Sequence, residues 1–136
     1  MKIVKLSDSL AVSGQITEAD IEEIVAAGYR VLISNRPDGE EGNQPHSAAI
    51  ADAARAAGME FHHLPVTAMD FPGPHYQAMS DLLDDPTRPV LAFCRTGTRC
   101  TNLWVVGCEG ADRDIAIAVA RQLGFDLAMA ERFLAS

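Results

Sequence analysis

The segment 94–101, CRTGTRCT, holds the residues best suited to nucleophilic chemistry. It follows residues 89–93, an apolar run typical of a strand buried on both faces. Gly97 permits the positive φ that lets a loop turn several backbone N–H groups toward one anion. Arg99 adds a planar cation that can hold two oxygen atoms at once. These groups favour thiolate over thiol, so the segment predicts that Cys94 is a nucleophile inside an anion-binding loop.

Other residues complete the predicted site. Asp70, in the loop of residues 67–74, is the best candidate for a general acid that protonates a leaving oxygen, and Asp38 is the second. The Arg36 side chain is expected to order its own loop by pairing with an acid. The residues predicted to bind the substrate anion are Arg95, Thr96, Gly97, Thr98 and Arg99.

Cys100 lies six positions after the predicted nucleophile and leaves two interpretations open. It is either a packed helix residue or a redox partner that forms a disulfide with an oxidised or persulfidated Cys94. We favour the packed role, because disulfide geometry is demanding. Cys108 is predicted to be structural. His62 and His63 are neighbours on a predicted strand and should face opposite sides, so we predict no metal site and no cofactor.

The strands and helices that must position the Cys94 loop are predicted to alternate along the chain. Strands are predicted at residues 3–6, 10–12, 31–33, 61–66 and 89–93, and helices at residues 17–28, 46–57, 76–83, 100–108, 112–123 and 126–134. The alternation predicts an α/β fold whose central, mostly parallel sheet of about five strands is flanked by helices. In such sheets ligands bind at the carboxyl ends of the strands, where Cys94 is placed.

The totals limit the classes of function. A length of 136 residues, with 48% hydrophobic residues, predicts a single catalytic domain over residues 1–136. The net charge of −8 argues against binding to nucleic acid, since a polyanion would be repelled. We identify no membrane-spanning stretch and no signal peptide, and therefore expect a cytoplasmic protein that does not bind membranes.

Three motifs together resemble one known family. Residues 12–16 (VSGQI), residues 35–40 (NRPDGE) and the Cys94 loop are similar to the bacterial beta-lactamase-hydrolase-like, phosphatase-like domain family. That resemblance implies a fold like that of the dual-specificity phosphatases. The family also occurs fused to, or encoded beside, enzymes of sulfide and persulfide oxidation, and some members are labelled sulfur transferases.

The Cys94 loop by itself resembles the Cys-x-x-Gly-x-Arg loop of rhodanese sulfurtransferases. It is less similar to the loop of Cys-based protein phosphatases, in which the interval between Cys and Arg is one residue longer and a His usually precedes the Cys. Here four residues separate Cys94 from Arg99, and Phe93 replaces that His. A shorter loop suits one added sulfur better than a phosphoryl group with three equatorial oxygens.

Three hypotheses follow. The first is sulfur transfer, in which Cys94 takes a sulfane sulfur from thiosulfate or a persulfide and passes it to a thiol acceptor. The second is hydrolysis of a phosphomonoester, such as a phosphotyrosine-like ester, through a phosphocysteine on Cys94 with Asp70 as the acid. The third is a non-catalytic module that senses anions. The sequence favours sulfur transfer.

Overall fold

A computed structural model of the protein describes residues 1–136 and contains a five-stranded sheet. The strands are β1 (Val4–Lys5), β2 (Leu10–Ser13), β3 (Val31–Ser34), β4 (Glu60–His63) and β5 (Val90–Phe93). Their spatial order is β1-β2-β5-β3-β4, in which β1 pairs antiparallel with β2 and every other pair is parallel. The predicted α/β fold with a mostly parallel sheet is confirmed.

The central strand, β5, carries the Cys94 loop. It lies between β2 and β3, and all four residues of each of these three strands are buried. This explains why the first three residues of each strand are apolar without alternation. Phe93 is in register with Ser13 on one side and Ser34 on the other. The three strands therefore end together, and the chain that leaves each one enters the same edge of the sheet.

Helices cover both faces of the sheet. They are α1 (Ile21–Ala26), which follows a short 3-10 turn at Glu18–Asp20, α2 (Ser47–Ala56), α3 (Tyr76–Leu83), α4 (Thr98–Gly107), α5 (Gly110–Gln122) and α6 (Ala128–Ala135). Side chains of α1 and α2 pack with Leu32 and Leu91 on one face. Side chains of α3 and α4 pack with Ile33 and Ala92 on the other. Successive side chains of β3 and β5 point to opposite faces of the sheet, so each strand contributes to two separate cores.

Most boundaries differ from the sequence prediction by one or a few residues, and two of the differences have a clear local cause. Helix α4 begins at Thr98 rather than at residue 100, because Gly97 adopts φ +88° as its N-cap and turns the chain directly into the helix. Strand β4 ends at His63 rather than at residue 66. Pro65 has no N–H to continue the ladder, although the amides of Leu64 and Val66 still donate to the carbonyls of Ser34 and Asn35.

The lengths and compositions of the helices also bear on membranes. No helix is both long enough and apolar enough to cross a bilayer.

Candidate active site

Cys94 is the first residue after β5 and is 1% exposed. Its Sγ accepts a hydrogen bond from the backbone N–H of Gly97 at 3.1 Å. Because Gly97 is the N-cap of α4, this sulfur lies where the unpaired amides and the positive end of the helix dipole concentrate. The predicted arrangement of a thiol at the start of a helix is therefore present.

Two glycines, Gly97 in the Cys94 loop and Gly14 after β2, lie where these two segments pack against each other. A Cβ added to Gly97 would lie 3.4 Å from the carbonyl oxygen of Ser13, and one added to Gly14 would lie 3.0 Å from that of Arg95. The backbone N–H of Gln15 donates to the same Arg95 carbonyl at 3.3 Å. The segment after β2 therefore supports the Cys94 loop from one side, a role that its sequence does not reveal.

The environment of Cys94 favours the thiolate. Its pKa is lowered to about 5, chiefly by hydrogen bonding from the Cys100 thiol and, to a smaller extent, from the backbone amides of Cys100 and Thr96 and by the charge of Arg99. Burial opposes this shift but does not overcome it. At neutral pH Cys94 is therefore a buried thiolate. Burial raises the pKa of the fully enclosed Cys100 thiol, so Cys100 stays protonated and can donate.

Arg99 is held by an acid that the sequence analysis did not place in the site. Its Nη1 and Nη2 each lie 2.8 Å from a carboxylate oxygen of Glu40, and Nη1 also donates to the carbonyl of Val66 at 3.1 Å. This side chain is 13% exposed. The remaining edge of the guanidinium, formed by Nε–H and the outer Nη2–H, has no protein partner. Such an edge matches two oxygens of an anion.

A second arginine fixes Glu40 in turn. Arg36, with a side chain 3% exposed, donates from Nε to Glu40 at 2.9 Å, from Nη2 to Glu41 at 2.7 Å and from Nη1 to Gln15 at 3.0 Å. The pKa of Glu40 is lowered, first by its hydrogen bond with Arg99 and then by that with Arg36. The expectation that Arg36 pairs with an acid is met, with two acids instead of one.

The other loop residues point outward. Arg95 and Thr96 are exposed, and Arg95 Nε lies 3.2 Å from Glu41. The hydroxyl of Thr96 donates to that of Thr98 at 3.1 Å. Their side chains thus border the opening of the loop, while Gly97 and Cys94 form its buried base.

Asp70, the candidate general acid, makes its side-chain hydrogen bonds within its own loop. Its Oδ1 accepts from the backbone N–H of Thr67 at 2.7 Å and from the Thr67 hydroxyl at 2.9 Å. These bonds lower the pKa of Asp70, the backbone one first. The loop adjoins the site through Val66, whose carbonyl accepts from Arg99. Asp38, the second candidate, accepts from the amide and hydroxyl of Ser47 at the start of α2.

The histidines make separate contacts. His62 lies 2.6 Å from Glu60, and His63 lies 2.9 Å from the carbonyl of Arg36. No group of three or more His, Cys, Asp or Glu side chains is arranged to hold a metal ion.

Comparison with solved structures shows the fold that this chain shares with known proteins. The chain is similar to the Neisseria meningitidis Z2491 protein nma1982, described as a candidate phosphatase, with 40% identity, a TM-score of 0.79 and coverage of 97% of this chain and 96% of that one. It also shares its fold with PTPMT1, solved in complex with PI(5)P, at 11% identity and a TM-score of 0.73, covering 96% and 93% of the two chains. The fold is that of the dual-specificity and protein-tyrosine phosphatases.

The family is narrower than the fold. Residues 2–111 match the family described as the beta-lactamase hydrolase-like protein, phosphatase-like domain, and the chain belongs to this family. A beta-lactamase hydrolase-like protein of Agrobacterium fabrum is 35% identical over 138 residues, which cover 98% of this chain and 32% of the relative. The chain thus spans about a third of the length of the curated relatives that it matches. The family expected from the three motifs is confirmed.

Proposed function

We propose that this domain hydrolyses anionic phosphomonoesters through a phosphocysteine formed on Cys94. The observation that carries the proposal is the buried Cys94 sulfur, which accepts from the Gly97 amide at the beginning of α4. This places an ionised nucleophile among N–H groups that can also bind phosphoryl oxygens. Family membership and the phosphatase-type fold support this choice over sulfur transfer, which the sequence favoured.

The chemistry divides into two displacements. In the first, the Cys94 thiolate attacks phosphorus, the phosphorus–oxygen bond to the leaving group breaks, and the departing oxygen takes up a proton. In the second, water attacks phosphorus, the phosphorus–sulfur bond breaks, and phosphate leaves as the thiolate is restored. The loop amides and the free edge of Arg99 would stabilise the oxygens that gain negative charge in both steps.

The domain would discriminate between substrates according to whether the departing oxygen must be protonated. We assign the acid role to Asp70, which lies on the loop next to Val66. Its lowered pKa leaves little of the protonated form at neutral pH. Phenolic leaving groups, which are stable as anions, should therefore react much faster than alkyl ones. This makes aryl phosphates, including phosphotyrosine-like esters, the substrate class that we propose.

The test is hydrolysis of an aryl phosphate by the full chain. Cys94→Ser should abolish turnover, whereas Cys108→Ser, which changes a thiol at the far end of α4, should retain it. Asp70→Asn should slow alkyl phosphates by about 10²-fold and aryl phosphates less. An active Cys94→Ser variant, or wild-type protein inactive from pH 5 to 8, would contradict the proposal.

Sulfur transfer is the second candidate, supported by one feature of the sequence. Only four residues separate Cys94 from Arg99, and a loop this short suits one added sulfur atom. The leaving sulfite or thiolate needs no general acid, so the lowered pKa of Asp70 would not matter. Thiosulfate should then add one sulfur atom to Cys94, detectable by mass spectrometry, and a thiol acceptor or cyanide should remove it.

The non-catalytic hypothesis predicts a third pattern. Both assays would be silent for the wild-type protein, yet sulfate or phosphate would bind at the Cys94 loop. Titration calorimetry with inorganic phosphate, repeated with Arg99→Gln, distinguishes this pattern from simple inactivity.

A further inference from the structure

A cavity at the far end of α4 from the Cys94 loop has no part in the proposed function. It has a volume of about 540 Å³ and lies among α3, the last turns of α4, the first turn of α5, and α6. The ten residues of α4 span about 15 Å between the loop and this end of the helix. A volume of this size lies within the range of about 300–1,000 Å³ that holds small organic ligands.

Three aromatic side chains line the cavity. Tyr76 and Trp104 are half-buried, and Phe133 is 37% exposed. The rings of Tyr76 and Phe133 meet edge to face, with their centroids 6.3 Å apart and an angle of 60° between the ring planes. The face of an aromatic ring attracts a cation within about 6 Å of its centre. This wall therefore suits both the apolar body of a ligand and a positive charge attached to it.

Three carboxylates line the same cavity. Asp84 follows α3, Glu109 is the N-cap of α5, and Asp112 belongs to the first turn of α5. All three residues are exposed, and none of them forms an ion pair with a basic side chain. The Glu109 side chain does not cap its helix either. These negative charges repel one another, so a cation placed among them would lower the electrostatic energy of the folded protein.

The other groups on the wall do not cancel this charge. Arg113 is the one basic side chain among them, and its Nε and Nη2 donate to the carbonyls of Val105 and Val106 at 3.2 and 3.0 Å. Burial, followed by the charge of Asp112, raises the pKa of the Cys108 thiol, which is therefore uncharged at neutral pH. Three carboxylates against one guanidinium leave the cavity negative, which disfavours an anionic ligand.

We propose that this cavity binds a small organic cation, in which an ammonium group is attached to an apolar or aromatic body. The body packs against the rings of Tyr76, Trp104 and Phe133, and the ammonium group lies near the carboxylates of Glu109 and Asp112. At exposed positions the cation–π attraction and the ion pair are each modest, but here both act on one ligand. The site includes no residue of the Cys94 loop, so the proposal does not depend on the proposed function.

The chain supplies its own reporter for this site. Trp104 is the only tryptophan in the sequence and lines the cavity, so the intrinsic fluorescence of the protein reports binding there. The full chain is titrated with three probes of similar size and different charge. These probes are phenethylamine, which is cationic, phenethyl alcohol, which is neutral, and hydrocinnamate, which is anionic. We expect a saturable change with the amine and a Kd at least about 5-fold lower than that of the alcohol, with hydrocinnamate binding most weakly.

Variants of α5 test the carboxylates. The double substitution Glu109→Gln and Asp112→Asn removes two charges with little change in side-chain size, and it should raise the Kd of the amine at least about 5-fold. Asp114→Asn is the matched control, because it removes an exposed acid of the same helix that does not line the cavity. This control should bind the amine as the wild type does.

Three results would overturn the proposal. They are equal Kd values for the amine and the alcohol, an equal loss of binding in the double variant and in Asp114→Asn, and no saturable change up to about 10 mM amine. The comparison of probes uses the wild-type protein, so it decides the question even if the double variant fails to fold. Saturating inorganic phosphate, a ligand for the Cys94 loop, should leave the Kd of the amine unchanged, and displacement of the amine by phosphate would contradict a separate site.

Discussion

Cys100 has the largest effect on the ionisation of the Cys94 thiol. Its thiol is the largest contributor to the lowered pKa of Cys94, ahead of the backbone amides and of Arg99. The charge of Arg99 also favours the thiolate, but it is a smaller cause of the lowered pKa. Arg99 can then direct its unpaired edge to a substrate rather than neutralise the thiolate.

Removing the Cys100 donor should make Cys94 less acidic. In a Cys108→Ser background, the rate of iodoacetamide labelling of Cys94 should rise with a midpoint near pH 5, which is the pKa of about 5. Cys100→Ala should move this midpoint upward. Cys100→Ser should move it less, because a hydroxyl still donates. An unchanged midpoint in Cys100→Ala would show that the backbone amides suffice.

At the residue scale, the sequence indicates the Cys94 loop but not the side chains that surround it. Cys94, Gly97 and Arg99 are close in sequence, so their spacing was informative. Glu40 is 59 positions from Arg99, and no local pattern indicates that pair. The two consecutive acids after Asp38 and Gly39 gave a weak signal, since they lie four and five positions after Arg36.

The site is held in place because β2, β3 and β5 end at the same edge of the sheet. The segments that follow these strands contact one another. Gly97 has φ +88°, and its backbone N–H donates to the Cys94 sulfur. Gly124, with φ +87° and open space where a Cβ would lie, has the same backbone demand without a neighbouring site. A comparison of substitutions at the two glycines therefore separates the effect of backbone strain from the effect of damage to the Cys94 loop.

We expect Gly97→Ala and Gly124→Ala each to cost about 1–2 kcal/mol in the free energy of unfolding, measured with urea. Only Gly97→Ala should also lose activity, because relief of its positive φ would move the backbone N–H that donates to the Cys94 sulfur. Equal losses of activity in the two variants would contradict this role for Gly97.

The ion pairs that Arg36 and Arg99 form with Glu40 and Glu41 link the segment after β3 to the Cys94 loop. Glu40→Gln should destabilise the fold by about 1–3 kcal/mol, because Arg36 is almost fully buried and loses one charged partner. Glu41→Gln is the matched control. The Glu41 side chain is 50% exposed, and its loss should cost less than about 1 kcal/mol. Urea denaturation measures both losses of stability. A larger loss in Glu41→Gln than in Glu40→Gln would contradict this prediction.

Elements were more predictable than the contacts between them. The boundaries of α3 agree with the prediction, since Tyr76–Leu83 is flanked by turn formers and a proline. The packing of the Gly14–Gln15 segment beneath Arg95 depends on the spatial order of the strands. The sequence does not specify this order, in which β5 lies between β2 and β3.

The ionisation of one buried thiol should also be visible in the stability of the whole molecule. The pKa of Cys94 is about 5 in the folded protein, against 9.0 for an ordinary cysteine thiol. Between these values the unfolded chain binds a proton that the folded one does not. Stability from this group is therefore fully present above pH 9, is lost as pH falls, and is gone below pH 5.

The difference in unfolding free energy between wild type and Cys94→Ser isolates this contribution from other titrating groups. Between pH 8 and 6 it should decrease as pH falls, by at most about 1.4 kcal/mol per pH unit. Urea denaturation at several pH values provides the measurement. A difference independent of pH would mean that Cys94 is an ordinary thiol in the folded protein.

The most direct test of the account is to identify what becomes attached to Cys94 during turnover. The protein is mixed with an aryl phosphate, quenched and digested with trypsin. The tryptic peptide that contains Cys94, residues 56–95, is then examined by mass spectrometry. We predict a phosphoryl group on Cys94 in wild type and none in Cys94→Ser. Absence of phosphorylation, together with an added sulfur atom on Cys94 after incubation with thiosulfate, would contradict the phosphatase account and favour sulfur transfer.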